Sequence, residues 1–107
     1  MSINVNVFFV SDRTGITAET LGNSLLTQFD GIDFRKSTLP FINTVDKARS
    51  TVDYINHLAE TSGSRPILVS TTVSDDIRAI LRGANSLFLD LFDTFIPVLE
   101  LELNLHA

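Results

Sequence analysis

The sequence predicts one α/β domain, with a four-stranded parallel sheet in the flavodoxin-like order 2-1-3-4 and helices on both faces. Short β-branched or aromatic runs alternate four times with segments whose apolar residues recur at helical spacing. Such alternation is typical of parallel strands joined by right-handed crossovers. The chain has 107 residues, 44% of them hydrophobic and 20% charged, which suits a single domain over residues 1–107 with its own core.

The first strand and helix are predicted from two apolar patterns. Residues 5–10 (VNVFFV) form a short β-branched and aromatic run, typical of a strand buried on both faces. Residues 15–29 show helical periodicity, and Gly31 follows them as a stop. The apolar stripe expected to lie on the sheet consists of Leu21, Leu25 and Phe29, with Leu26 beside them.

The second strand and helix are predicted over the next thirty residues. Residues 33–39 are more polar and precede Pro40, which favours an edge strand. Asn43 is the expected N-cap of a long helix that ends at Gly63. Its stripe over four turns consists of Val45, Ala48, Val52, Ile55 and Leu58.

The third unit follows the same pattern. Residues 66–71 (PILVST) predict another buried strand. Ser74 is a plausible N-cap for a helix with acidic residues in its first turn, and Gly83 is its expected end. Residues 87–91 (LFLDL) predict the fourth strand.

The last segment fits two patterns. Leucines alternate with polar residues at strand period near its end, yet residues 92–103 also form a helical stripe, and we favour the helix. Asp93 is its expected cap, which places Pro97 in or beside the first turn. The residues expected to face the sheet are Phe95, Leu99 and Leu103. Those expected on a second flank, which a homo-oligomer or further polypeptide would cover, are Val98, Leu101 and Leu105.

Composition excludes several classes of function. The net charge is −5 and the eight basic residues are scattered, so no nucleic-acid or anionic-membrane surface is expected. Without cysteine, and with only two distant histidines, neither a disulfide framework nor a thiolate or zinc site is expected. The absence of an export-signal pattern and of a membrane-length apolar run leads us to expect a cytoplasmic protein.

The candidate site lies where the carboxyl ends of strands one and three meet, since ligands of such sheets bind there. Hydroxyls, free amides, a glycine and a cation after strand one predict an anion cradle at the start of helix one. Its residues are Asp12, Arg13, Thr14, Gly15, Ile16 and Thr17. The opposite lip of the crevice is predicted to be Ser70, Thr71 and Thr72.

Structural explanations for the same residues stay open. Thr14 or Thr17 could simply cap helix one, with Gly15 supplying a turn. Asp12 could tether loop amides, and hydroxyls that leave a strand are often turn residues. The remaining histidines and carboxylate pairs are explained by solvation, caps and helix dipoles, so no catalytic or metal-ligating residue is assigned.

One long motif resembles a known family. Residues 7–22 (VFFVSDRTGITAETLG) resemble the start of the bacterial regulatory proteins of phosphoenolpyruvate synthase and of pyruvate, phosphate dikinase. Further similar stretches lie at residues 28–29, 38–41, 65–66, 77–78, 89–92 and 97–100. Arg13 departs from the pattern, since a glycine is expected there in most members.

The resemblance implies a bifunctional kinase/pyrophosphorylase. Such an enzyme uses ADP to phosphorylate a threonine of the dikinase (pyruvate, water dikinase or pyruvate, phosphate dikinase), and uses phosphate to remove the group as pyrophosphate. Members of the family are more than twice this length, and their nucleotide-binding P-loop lies in the half that follows. The sequence has no Gly-x-x-x-x-Gly-Lys-Ser/Thr motif, so this chain is expected to resemble the N-terminal domain and to be inactive alone, without a cofactor of its own. A stand-alone anion- or nucleotide-binding module and a protein-interaction domain are the alternatives.

Overall fold

The computed structural model describes residues 3–107, with four parallel strands and four helices in strict alternation. Met1 and Ser2, the start of the segment without an export-signal pattern, lie outside the described residues. The strands are β1 (Ile3–Ser11), β2 (Ile32–Leu39), β3 (Ile67–Thr71) and β4 (Leu87–Asp90). The helices are α1 (Ile16–Leu26), α2 (Val45–Ser62), α3 (Asp75–Arg82) and α4 (Leu91–Leu103).

The sheet has the predicted order β2-β1-β3-β4, and all three strand pairs are parallel. This confirms the α/β class and the assignment of β2 to an edge. β1 pairs with β2 along eight residues and with β3 along its last five, Val7 to Ser11. Those five residues are fully buried because strands and helices cover them on all sides.

Two apolar clusters lie on opposite faces of the sheet. On one face, Phe8 and Val10 of β1 pack with residues of α2 and α3, including Ile55 and Leu81. On the other face, Phe9 packs within a cluster whose other buried members are Val7, Ala18, Leu26, Val69 and Leu91. The chain therefore has α2 and α3 on one face and α1 with the start of α4 on the other.

The predicted sheet-facing stripe of α1 is correct for Leu26 and wrong for its other three residues. Leu21, Leu25 and Phe29 are 44%, 49% and 61% exposed, whereas the buried residues of α1 are Ala18, Gly22 and Leu26. Small residues at this contact let the helix approach the sheet closely, since a Cβ on Gly22 would lie 2.4 Å from Cε1 of Phe9. Leu21 and Leu25 therefore lie on the flank of the helix.

The predictions for α2 and α3 are confirmed apart from one cap. Helix α2 begins after Thr44, not Asn43, because the Thr44 side chain accepts a hydrogen bond from the amide of Lys47 at 3.1 Å. The Asn43 side chain instead accepts from Nζ of Lys47. Gly63 ends α2 in the left-handed conformation, Ser74 caps α3 and Gly83 ends it, as expected. Within residues 3–107, no helix is long and apolar enough to cross a membrane.

Helix α4 differs most from the sequence prediction. Its N-cap is Asp90 rather than Asp93, and Pro97 is its seventh residue instead of a first-turn residue. Helix α4 begins directly after β4, whereas a helix that packs along the sheet usually follows a connection of 2–6 residues.

The assignment of the faces of α4 is wrong for the same reason. Leu91 is its one buried residue, while the three residues predicted to face the sheet, Phe95, Leu99 and Leu103, are all more than half exposed. Val98, Leu101 and Leu105 are exposed too. The apolar stripe therefore exists, but it does not lie on the sheet.

This geometry predicts that one leucine substitution in α4 lowers the stability strongly and another hardly changes it. Leu91→Ala should lower the free energy of unfolding by about 2–4 kcal/mol, because it empties a buried position. Leu99→Lys should change it by no more than about 0.5 kcal/mol, because the side chain is 55% exposed. Urea denaturation followed by circular dichroism measures both. Unfolding of the Leu99→Lys variant would contradict the exposed position of Leu99.

Candidate functional site

A crevice of about 230 Å³ opens at the carboxyl ends of β1 and β3. One wall is the loop from β1 to α1, and the other is formed by the end of β3 with the first residues after it. The lining residues are Ser11, Asp12, Arg13, Thr14, Gly15, Ile16, Thr17, Thr71, Val73 and Phe92. All six predicted cradle residues therefore lie around one opening.

The β1–α1 loop is held from behind by the segment after β2. The backbone oxygen of Ser11 accepts from the amide of Ile42 at 2.9 Å, and that of Arg13 accepts from the amide of Phe41 at 2.8 Å. The Ser11 hydroxyl also accepts from the amide of Arg13 at 3.0 Å. Phe41 has a φ of 59°, which is uncommon for a bulky residue. These bonds fix the path of the loop.

Gly15 provides the turn from the loop into α1. It is the N-cap of the helix, has a φ of 89° and makes no side-chain cap. A Cβ at this position would lie 2.7 Å from Cγ2 of Thr38, so both the backbone conformation and the space require glycine. Thr38 is in turn hydrogen-bonded to the Glu19 carboxylate.

The first turn of α1 is not capped in the ordinary way. The nearest side-chain acceptor is Oγ1 of Thr14, which lies 3.5 Å from the amide of Ile16 at the limit of a hydrogen bond. Among the described residues, no side chain accepts from the amide of Thr17. The positive end of the α1 dipole therefore faces the crevice, with the exposed Arg13 beside it.

Asp12 joins the two walls of the crevice. Its Oδ2 accepts a hydrogen bond from the backbone amide of Val73 at 3.1 Å, across sixty-one positions of sequence. This is the tethering role that the sequence left open beside a direct functional one. The carboxylate holds the β1–α1 and β3–α3 loops at a fixed separation.

The three predicted lip residues do not behave alike. Ser70 and Thr72 are completely buried, and their hydroxyl oxygens lie 3.1 Å apart as hydrogen-bond partners. Thr71 is the one member of the three that lines the crevice. Successive side chains of a strand point to opposite sides, which explains why the three hydroxyls do not converge.

Val73 and Phe92 complete the crevice. Both also line a neighbouring hollow of about 340 Å³, whose polar members include Asp75, Arg78 and Asp93. Val73 belongs to the same loop as the three predicted lip residues. The position of Phe92 was not predicted, because it depends on where α4 begins.

A network of charged side chains around Asp90 fixes the position at which α4 begins. The Asp90 side chain is 5% exposed, and its Oδ2 lies 3.5 Å from Nε of Arg78 and 3.7 Å from an Nη of Arg82. Its Oδ1 accepts from the amide of Asp93 at 3.0 Å. The four-residue spacing of the two arginines on α3 was the sequence signal for this network.

The described residues offer little for metal chemistry. Within residues 3–107, no three His, Asp or Glu side chains come together in a way that could hold a metal ion. What the crevice presents is a helix N-terminus, an arginine and hydroxyls, a combination that suits a phosphate-type anion.

Comparison with known proteins gives the family. The model of the family described as "Kinase/pyrophosphorylase" matches residues 7–107. A "Putative phosphoenolpyruvate synthase regulatory protein" of Pseudomonas putida (strain W619) is 56% identical over 100 residues, which cover 94% of this chain and 37% of that protein. Proteins of the same name from Ectopseudomonas mendocina (strain ymp) and Pseudomonas aeruginosa (strain LESB58) are 55% and 52% identical, and 37% and 38% of their lengths are covered.

These relatives are much longer than the chain, which spans little more than a third of their length. No solved structure matches it. The family match nevertheless extends over nearly all of the sequence, including both walls of the crevice. The chain therefore belongs to the kinase/pyrophosphorylase family.

Proposed function

We propose that this chain is the N-terminal domain of a regulator of phosphoenolpyruvate synthase (pyruvate, water dikinase) or of pyruvate, phosphate dikinase. The names of the relatives and the family match support this proposal. The whole regulator uses ADP to phosphorylate a threonine of the dikinase. It uses phosphate to remove that phosphoryl group, which leaves as pyrophosphate. Both reactions belong to the cytoplasm, where the dikinase substrate would be found.

Within that protein, we assign the crevice to a phosphate-bearing group. The observation that carries this assignment is the N-terminus of α1, which faces the crevice beside Arg13 without a side-chain cap in its first turn other than the long Thr14 contact. An anion there gains hydrogen bonds from main-chain amides and a favourable interaction with the helix dipole. The Thr14, Thr17 and Thr71 hydroxyls can donate further hydrogen bonds.

Phosphoryl transfer needs more than this crevice provides. Positioning and neutralising a transferring phosphoryl group requires a cradle of amides together with a lysine or metal ions. The sequence has no glycine-rich loop followed by lysine, and neither lysine nor a histidine lines the crevice. The chain would therefore bind a phosphate-bearing group but would not transfer a phosphoryl group. ADP would be used by the P-loop region of a family-length protein.

A second candidate is an interaction domain without catalysis. The exposed apolar residues of α4 favour it, because a helix with Phe95, Val98 and Leu99 more than half exposed normally contacts another surface. The two roles are compatible, since the crevice and this stripe are separate parts of the chain.

We expect inorganic phosphate to shift the backbone amide resonances of residues 13–18 at millimolar concentration. Arg13→Ala should weaken binding roughly 3–10-fold, since a hydrogen bond to a charged partner contributes on the order of 1 kcal/mol. Gly15→Ala should abolish the shifts, because the new Cβ meets Thr38 and α1 must move. Amide NMR titration measures all three.

Gly31→Ala is the matched control for Gly15→Ala. Gly31 also has a positive φ, of 80°, but a Cβ there would meet nothing within 4 Å, and it lies outside the crevice. Its variant should bind phosphate like the original chain. If phosphate moves no amide between residues 12 and 18, the loop is only a turn and the crevice assignment is wrong.

A kinase assay tests whether phosphoryl transfer requires the region of the relatives that this chain does not match. Incubated with ADP and phosphoenolpyruvate synthase, this chain alone should transfer no phosphoryl group, because it lacks the lysine-bearing loop that such chemistry requires. The family-length Pseudomonas putida relative, under the same conditions, should phosphorylate a threonine of the synthase. Phosphothreonine detected by mass spectrometry with the chain alone would contradict the proposal. Its absence with the relative would contradict the assigned reaction.

A further inference from the structure

An exposed apolar surface lies between α1 and α4. A groove of about 400 Å³ runs there, and we call it the α1–α4 groove. It is lined by Leu21, Ser24, Leu25, Phe88, Leu89, Asp90, Leu91, Thr94 and Phe95. Leu21, Leu25 and Phe95 are each between 44% and 59% exposed, and Leu99 continues the apolar surface one turn further along α4. This apolar surface differs in its chemistry from the polar crevice.

Continuation of this sheet does not explain the groove. Helix α3 connects β3 to β4 on the face of α2, whereas Leu91 places α4 on the opposite face, beside α1. A right-handed crossover to a strand beyond β4 would lie on the α2–α3 face, like α3. Helix α4 is therefore not the crossover to a fifth strand beside β4, and its apolar side requires a separate structural unit.

Charge argues against a second copy of this chain as that unit. Helix α1 contains Glu19, and α4 contains Asp93, Glu100 and Glu102, but neither helix contains a lysine or an arginine. Glu102 is seven residues after Phe95 and lies on the same side of α4, so symmetric pairing of two copies would bring together acidic helices that carry no basic residue of their own, and like charges there are unfavourable. The groove instead favours an apolar helix with basic residues at its sides.

The relatives contain polypeptide that could supply such a helix. The matched segment is 37% of the Pseudomonas putida protein, so well over half of that protein lies outside it. We propose that the α1–α4 groove is the docking site for an amphipathic helix from that additional region, with lysine or arginine beside its apolar stripe. This inference rests on family membership and does not depend on phosphate binding in the crevice.

The test compares the chain with a fusion in which it replaces the matched segment of the Pseudomonas putida relative. Amide hydrogen exchange is measured by mass spectrometry on both proteins. Residues 95–103 should exchange at least 10-fold more slowly in the fusion, because docking covers α4. Unchanged exchange in the fusion would overturn the proposal.

Variants within the fusion identify the contact. Phe95→Lys should return residues 95–103 to the exchange rate of the isolated chain, whereas Leu101→Lys should not, since Leu101 is 86% exposed and does not line the groove. Circular dichroism of the isolated chain shows whether each variant still folds. Should Phe95→Lys disturb the fold, Leu25→Lys on α1 provides the same test. If residues 95–103 exchange equally slowly in the groove variant and in the Leu101→Lys control, the assignment of the docking surface is wrong.

The charge argument has its own pair of variants. Glu102→Lys should raise the exchange rate of α4 in the fusion several-fold, and more so at low salt, because it places a cation beside the basic flank of the docked helix. Glu60→Lys makes the same charge change on the exposed surface of α2 and should have no effect. Equal effects of the two variants would contradict the basic-flank chemistry.

The same samples test whether the chain forms the homo-oligomer that was expected from the sequence. Sedimentation of the isolated chain over a range of concentrations measures self-association. If the chain forms a stable dimer that Phe95→Lys dissociates, and α4 in the fusion is protected only in its dimer, then the occupant is a second copy and the proposal is wrong.

Discussion

The whole arrangement depends on the central strand β1, whose last five residues are buried on both faces. Adjacent phenylalanines, Phe8 and Phe9, point to opposite sides and each anchors one apolar cluster. Because β1 has strands on both sides and helices on both faces, its carboxyl end lies at the middle of the sheet edge. The crevice forms there, since the loop that leaves β1 must diverge from the loop that leaves β3.

The close approach of α1 to Phe9 connects this core to the site. Gly22 has no side chain, so α1 lies directly on the Phe9 ring, and Gly15 at its start packs against Thr38. The helix is thus fixed at its start and just past its middle. As a consequence, the position of its N-terminal amides is set by glycine contacts with two strands, independently of any side-chain cap.

Features set by local pattern were predictable from the sequence. Four short strand-like runs separated by helical stripes were sufficient for the strand order, because right-handed crossovers allow few alternatives. The stripe and C-cap of α2 were likewise correct, since the period extends over four turns. Asp12 was located at the crevice, where its carboxylate accepts a hydrogen bond from the amide of Val73.

Features set by contacts between distant residues were not predictable. The orientation of α1 depends on the space that Gly22 leaves for Phe9. The spacing of Leu21, Leu25 and Phe29 therefore indicated the wrong face of the helix. The pairing of Ser70 with Thr72 depends on burial of both hydroxyls. The start of α4 depends on Asp90, which both caps the helix and pairs with arginines of α3, and this shared role is invisible in the local sequence.

The Asp90 network also explains why the crevice and the α1–α4 groove are so close. A buried carboxylate between two arginines is costly to leave unpaired, so the ends of β4, α3 and α4 are constrained together. With the first turn of α4 fixed, Phe92 is placed in the crevice and Phe95 in the groove. Helix α1 likewise contributes Thr17 to the crevice and Leu21 to the groove, one turn apart. Both surfaces are therefore built on the same two helices, and any unit that covers the groove lies within one helical turn of the side chains that line the crevice.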